Sequence, residues 1–242
     1  MYCLIIPNYN HTHELEVLLL RLSAYEFSII MIDDGSKASA KKLFESLVDK
    51  VPLLTLIHHS ENQGKGAAVQ TGLKYAHKLG FEYAIQVDAD GQHNLADITS
   101  LIALSKQHPD ALISGKPVYD ESIPKHRYFA RFITHFWVYI ETLSFQLKDS
   151  MCGFRVYPVG QSIELMNKVN LGKRMDFDTE IMVRLYWQGI DVKFLPTKVI
   201  YPEFGISHFR AFEDNARISW MHTRLFFGML FRAPKLIFRH FC

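Results

Sequence analysis

The chain has 242 residues, enough for one large domain with a sizeable core, and 48% of them are hydrophobic against 21% charged, the balance of a globular protein. A formal net charge of +2, with no run of lysines and arginines, argues against nucleic acid as a partner and leaves small molecules or lipid. Three widely spaced cysteines, Cys3, Cys152 and Cys242, exclude a disulfide framework and imply a reducing compartment.

Met1 to Pro7 runs straight into a strand-like segment, so no signal peptide is expected, and no apolar stretch reaches the roughly 18 residues of a membrane span. Up to about Lys116, apolar runs alternate with helical stretches. Strands are expected at Cys3–Ile6, Phe27–Ile32, Leu53–His58, Tyr83–Val87 and Ala111–Ser114. Helices are expected at Thr12–Leu22, Ala40–Val48, Lys65–Leu79 and Leu95–Ser105, with apolar residues at three- and four-residue spacing, as in Leu15, Leu18, Leu19 and Leu22. The alternation predicts an α/β fold with a Rossmann-like, mostly parallel sheet and flanking helices. In such sheets ligands bind beyond the carboxyl ends of the strands.

Those ends carry the polar signatures. Pro7-Asn8-Tyr9-Asn10 offers an aromatic face and amide groups to a base, although Pro and Asn also make a turn. Asp33-Asp34-Gly35-Ser36 offers a carboxylate to a base N–H or a ribose hydroxyl, or again a turn and helix start. Asn62-Gln63-Gly64-Lys65-Gly66 leads into a helix, where glycine backbone and Lys65 suit an anion; it lacks the spacing of a P-loop. Asp88-Ala89-Asp90-Gly91-Gln92-His93 ends the fourth strand with two carboxylates and an amide, the hard oxygen ligands that Mg²⁺ or Mn²⁺ prefers beside substrate phosphates.

Taken in order, these motifs resemble the nucleotide-sugar motifs of glycosyltransferase family 2, with its A-type (GT-A) fold. The dolichyl- or polyprenyl-phosphate mannose and glucose synthases are the most similar subgroup. Asp88 to His93 matches their Asp-Ala-Asp-x-Gln-His pattern, with Gly91 where a larger apolar residue is common, and Asp149 to Arg155 resembles their Asp-x-x-Ser-Gly-Phe-Arg segment. The resemblance implies a nucleoside-diphosphate sugar bound by Pro7, Tyr9, Asn10, Asp33, Asp34, Gly64, Lys65, Asp88 and Ala89. It implies a Mg²⁺ or Mn²⁺ ion on Asp88, Asp90 and Gln92, neutralising the leaving diphosphate.

In the second half, Arg174 to Ile181 leads into a helix that ends at Gly189. Asp178 at its start reads either as an N-cap or, by the resemblance, as the general base of an inverting transfer, with Asp176 and Glu180 behind it. A lipid-phosphate acceptor, already ionised, needs no base and leaves Asp178 a positioning role. Arg155 and His208 are candidates for acceptor or diphosphate contacts, and Lys116, Lys125, His126 and Arg127 for an acceptor loop. Tyr128 to Leu147 carries an aromatic stripe, and 213–242 is a basic, aromatic, amphipathic end that suits a membrane surface or a covering helix equally.

The expectation is one GT-A domain over 1–212, with a nucleotide-sugar half (1–116), an acceptor half (117–212) and the 213–242 segment. Its expected activity is metal-dependent, inverting sugar transfer to a lipid-linked or lipid-phosphate acceptor. The expected location is cytoplasmic, peripherally on the membrane. The alternatives are a catalytically inactive nucleotide-sugar-binding scaffold and a transferase acting on a soluble hydroxyl acceptor. A processive polysaccharide synthase would need Gln-x-x-Arg-Trp, which is absent.

Overall fold

The computed structural model describes residues 1–118, 125–198 and 210–239, the side chains of 125–130 and 211 excepted. His208 and the side chains of Lys125, His126 and Arg127 lie outside the described residues. Strand β1 (Tyr2–Asn8) is apolar along its length because both faces are covered: Cys3 and Ile5 enter one core, Leu4 and Ile6 the other. Strand β2 (Ser28–Asp33) repeats this, with Ile30 and Ile32 on the first side and Ile29 and Met31 on the second. With β3 (Leu54–His58) and β4 (Tyr83–Gln86) they form a parallel array.

Three helices cover one face: α1 (Leu15–Ser23), α2 (Ala38–Val48) and α4 (Asp97–Gln107), the last following β4. The other face is covered by α3 (Lys65–Lys78) and, from the second half, by α5 (Lys125–Thr142), α6 (Val159–Lys168), α7 (Phe177–Gln188) and α8 (Ala211–Phe238). The seven strands run in the order β3-β2-β1-β4-β6-β5-β7, with β5 at Leu112–Val118, β6 at Arg155–Pro158 and β7 at Val192–Lys198. One sheet therefore joins the two halves.

Strands β6 and β7 go beyond the five that the sequence predicts. Four residues bracketed by an arginine and a proline give β6 no readable alternation, and β7 is an edge strand interrupted by Pro196. Strand β6 matters most for the site. It is antiparallel to β4, with Gln86 opposite Arg155, so the residues just before it, Gly153 and Phe154, emerge at the carboxyl end of β4. Helix α7 starts two residues before where an N-cap reading of Asp178 would put it: the cap position is Asp176, and Asp178 lies inside the first turn. The helix stops at Gly189, whose φ of 101° is the left-handed conformation expected after a helix end.

Candidate active site

Lys65 opens α3, and its ammonium lies between two carboxylates: Nζ donates to Asp88 Oδ2 at 2.8 Å and is 3.3 Å from Asp178 Oδ2. Three elements thus meet on one charge, the start of α3, the end of β4 and the start of α7. Burial pulls the Lys65 ammonium toward neutrality, but Asp178 and Asp88 outweigh it, and the group sits well above the ordinary lysine range. Burial likewise pushes the Asp88 carboxyl up, and Lys65 with His93 pulls harder, so its net position is far below the usual carboxylate range. His93 Nε2 lies 3.5 Å from Asp88 Oδ2 without the alignment of a hydrogen bond, its ring stacked on Phe154 with centroids 4.8 Å apart.

Behind the ion pair runs a buried polar chain. The Tyr157 hydroxyl donates to Gln86 Oε1 at 3.1 Å, and Gln86 Nε2 donates to Asp88 Oδ1 at 3.1 Å. Gly153 seals it: a β-carbon there would fall 2.7 Å from Lys65 Nζ, 2.7 Å from Gln86 Nε2 and 2.8 Å from Asp88 Oδ2. The Gly-Phe-Arg segment therefore needs glycine because the ion pair occupies the space where a side chain would begin.

Several residues expected to touch a nucleotide bond their polar atoms to neighbouring loops. Asp34, 2% exposed, accepts the Gln63 N–H at 2.9 Å, the Gly64 N–H at 2.7 Å and Asn62 Nδ2 at 2.9 Å, and also pairs with His59 Nδ1 at 2.8 Å. Asp33, fully buried, accepts the Ser36 N–H and pairs with His58. Asn10, at φ 58°, donates its N–H to Ser36 Oγ and accepts the Lys37 N–H. The turn readings of these motifs describe the observed bonding, and Tyr9 beside them is half-buried. Pro7 is buried within β1, opposite Ile32, and Ala89 is buried beside the carboxylates.

The Gly64-Lys65-Gly66 turn is tied to its neighbours in the same way: Asp34 accepts the Gln63 and Gly64 N–H groups just before the helix, and the Ala67 N–H donates to the Lys173 carbonyl at 2.8 Å. A β-carbon on Gly64, whose φ is 106°, would meet Arg174 Cγ and the Lys173 carbonyl at 2.5 Å. The glycines admit the segment ahead of α7, and Lys65 is what the turn contributes to chemistry.

Arg155 is fully buried, and its Nη1 donates to the Asp178 carbonyl at 2.6 Å while Nη2 donates to the Ser150 carbonyl at 2.7 Å, so it holds the backbone of Asp178. Asp178 itself is 6% exposed, and among the described residues its Oδ1 has no hydrogen-bond partner. Glu180 is excluded as a base, since it is fully buried and bound by Arg184 Nε, Arg224 Nη2 and the Gly172 N–H. Asp176 accepts the Arg174 N–H at 3.1 Å, and burial pushes its carboxyl up.

For a divalent cation the two carboxylates of the Asp88-Ala89-Asp90 motif differ. Asp88 accepts from Lys65 and Gln86 and is partly exposed, whereas Asp90 is exposed and, among the described residues, receives the Gln92 N–H at 3.1 Å. Among the described residues no three His, Cys, Asp or Glu side chains converge on one metal position. The oxygens therefore fit a cation held by Asp90, with Gln92 adjacent, that completes its shell with substrate phosphates.

The family model Glycosyl transferase family 2 matches residues 3–161. The chain belongs to this family. Among its curated relatives, the UDP-N-acetylglucosamine–dolichyl-phosphate N-acetylglucosaminyltransferase of Methanococcus voltae is 24% identical over 84% of the chain and 87% of the relative. The dolichyl-phosphate beta-glucosyltransferase of Dictyostelium discoideum is 26% identical over 88% of the chain and 66% of its own length. A mannosyltransferase of Pyrobaculum calidifontis, solved with GDP-Man and Mn²⁺, superposes with a TM-score of 0.57 at 15% identity over 96% of the chain and 64% of the neighbour. The subgroup resemblance seen in the sequence holds, the fold is GT-A, and this family 2 chain is a glycosyltransferase.

Gln86, Tyr157, Ser150 and Glu180 are site-building residues that sequence reasoning missed as such. Gln86 left a signal, a lone amide inside the apolar Tyr83–Val87 run. Replacing Gly153 with Ala should force the Lys65–Asp88 pair apart and weaken nucleoside diphosphate binding by roughly tenfold, with a far-UV spectrum like that of the unmodified chain. Isothermal titration checks this; unchanged affinity would mean that the ion pair does not shape the site.

Proposed function

We propose that this glycosyltransferase moves a sugar, with inversion, from a nucleoside-diphosphate donor to a lipid-phosphate acceptor at a membrane surface, with a divalent cation on Asp90. The observation that carries the reading is the Asp88–Lys65–Asp178 arrangement at the carboxyl ends of β1 and β4. It brings the donor-side carboxylate and the acceptor-side carboxylate onto one ammonium. The relatives named for dolichyl-phosphate acceptors support the acceptor class.

A bound Mg²⁺ or Mn²⁺ ion would neutralise the diphosphate as the glycosidic bond breaks. The chain's own residues do the rest. Tyr9 offers its ring to the base, and Lys65 adds a fixed positive charge beside the leaving group. Asp178, whose buried Oδ1 has no hydrogen-bond partner among the described residues, lies beside the acceptor on a backbone clamped by Arg155. A phosphate oxygen attacks already ionised, so Asp178 orients the acceptor and need not remove a proton. A general base typically contributes about 100- to 10,000-fold. With polyprenyl phosphate as acceptor, Asp178→Asn should therefore lose only roughly tenfold in kcat and keep its pH profile. A loss of about 1,000-fold, with rescue at high pH by a stronger base, would return Asp178 to the role of general base.

The membrane reading rests on α8 and α5. Met221, Leu225, Met229 and Leu236 bury one face of α8 against the domain. Trp220, Phe227, Phe231 and Phe238 recur at seven- and four-residue spacing on the opposite face, with Phe231 87% exposed. Exposed Arg217, Arg232 and Lys235 adjoin that stripe. Rings continue it onto α5: Phe227 to Phe226 at 5.7 Å, Phe226 to Trp137 at 6.3 Å and Trp137 to Phe136 at 6.3 Å. Both readings of the C-terminal segment thus meet in one helix, covered on one face and open on the other. Among the described residues no helix is long and apolar enough to cross a membrane, which suits binding at the surface. Sedimentation with vesicles containing anionic lipid should bring the chain down, and the Phe227→Glu/Phe231→Glu double variant should stay in the supernatant. Equal partition of the two would refute the surface.

A further inference from the structure

The segment from Leu171 to Asp176 has no regular structure, yet it touches the start of α3 and leads into α7. Its Lys173 carbonyl accepts the Ala67 N–H of α3, and its Gly172 carbonyl accepts Gln70 Nε2 at 2.9 Å. Its Arg174 packs on Gly64, and its end starts the helix that carries Asp178. A displacement of this segment would therefore move the Gly64–Lys65 turn and the Asp178 carboxylate together.

What fixes the segment from behind is a buried carboxylate. Glu180 lies two residues after Asp178 on α7, fully inaccessible, and its Oε2 accepts the Gly172 N–H at 2.8 Å. The same Oε2 accepts Arg224 Nη2 at 3.2 Å, while Oε1 accepts Arg184 Nε at 2.9 Å. Arg184 belongs to α7 itself, but Arg224 comes from α8, the helix that carries the exposed aromatic stripe. A carboxylate removed from water is stable only while its cations are in place. The seating of α8 therefore governs the charge balance of the group that holds Gly172.

We propose that Glu180 is a positioning residue, and that Arg224 makes it a coupling element through which the seating of α8 sets the geometry of the Gly64–Lys65 turn and Asp178. The helix with the exposed aromatic stripe and the donor site are then linked by three contacts: Arg224 to Glu180, Glu180 to Gly172, and the 171–176 segment to α3. The proposal rests on the reading of that site as a donor site, but its core is a statement about structure and can be tested without a substrate.

Arg224 is one-third exposed, and Glu180 keeps Arg184 and Gly172 when it is lost, so Arg224→Gln should fold. Hydrogen exchange of the intact chain should then show faster exchange at residues 64–67 and 172–178, with β1 and β2 unchanged, and Arg224→Lys should restore part of the protection. In kinetics, Arg224→Gln and Glu180→Gln should each raise the donor KM and lower kcat, together about tenfold in kcat/KM, and the double variant should be no worse than either alone. A merely structural role would lower the melting temperature while leaving exchange at 64–67 and the KM unmoved. That result, or additive losses in the double variant, would overturn the coupling. Should the chain use no nucleoside diphosphate at all, the exchange experiment still decides this proposal, while the functional reading alone would fail.

Discussion

The site depends on one ammonium held between two carboxylates. Lys65 is the first residue of α3, Asp88 follows β4, and Asp178 lies in the first turn of α7. Each of these charges is largely withdrawn from water, where an unpaired charge costs several kcal/mol. The three elements must therefore arrive together or leave a charge uncompensated. This explains why the antiparallel β6 is inserted beside β4. It delivers Gly153, the residue type that leaves room for the pair, and Arg155, which holds the Asp178 backbone from below.

The motif residues turn out to divide their labour between ligand and scaffold. Asp33, Asp34 and Asn10 sit where a nucleotide is expected, yet their oxygens cross-link the loops after β1, β2 and β3. Under the proposed function, their effect on a nucleotide is exerted through the shape of those loops, and the charged groups that act among the described residues are Lys65, the exposed Asp90 and Asp178. Preorganisation of this kind lets a small number of side chains act without reorganising when charge develops.

The parallel half of the fold was legible because doubly covered strands read as continuous apolar runs and their crossover helices show helical spacing. Leu15, Leu18, Leu19 and Leu22, read as one helical face, are all buried on α1. Residue type at strand ends and helix starts also picked out Lys65, Asp88 and Asp178, which the fold brings together. It did not tell where each side chain points. A carboxylate such as Asp34 looks the same in sequence whether it faces a ribose or a backbone N–H on the loop after the next strand, and Arg155 looks the same whether it meets a phosphate or a carbonyl. Glu180 was readable only as an acid near Asp178, because its partners Arg224 and Gly172 come from separate segments that tertiary packing brings together.

The central claim is that the carboxyl ends of β1 to β4 form a cation-assisted nucleoside-diphosphate site. Titration calorimetry of UDP and GDP, with and without Mn²⁺, tests it most directly, on the chain as it stands and on Asp90→Ala. The account predicts that one of the two nucleotides binds, that Mn²⁺ strengthens the binding, and that Asp90→Ala removes the Mn²⁺ effect while leaving the fold intact. Binding of neither nucleotide, or Mn²⁺-enhanced binding that survives in Asp90→Ala, would contradict it.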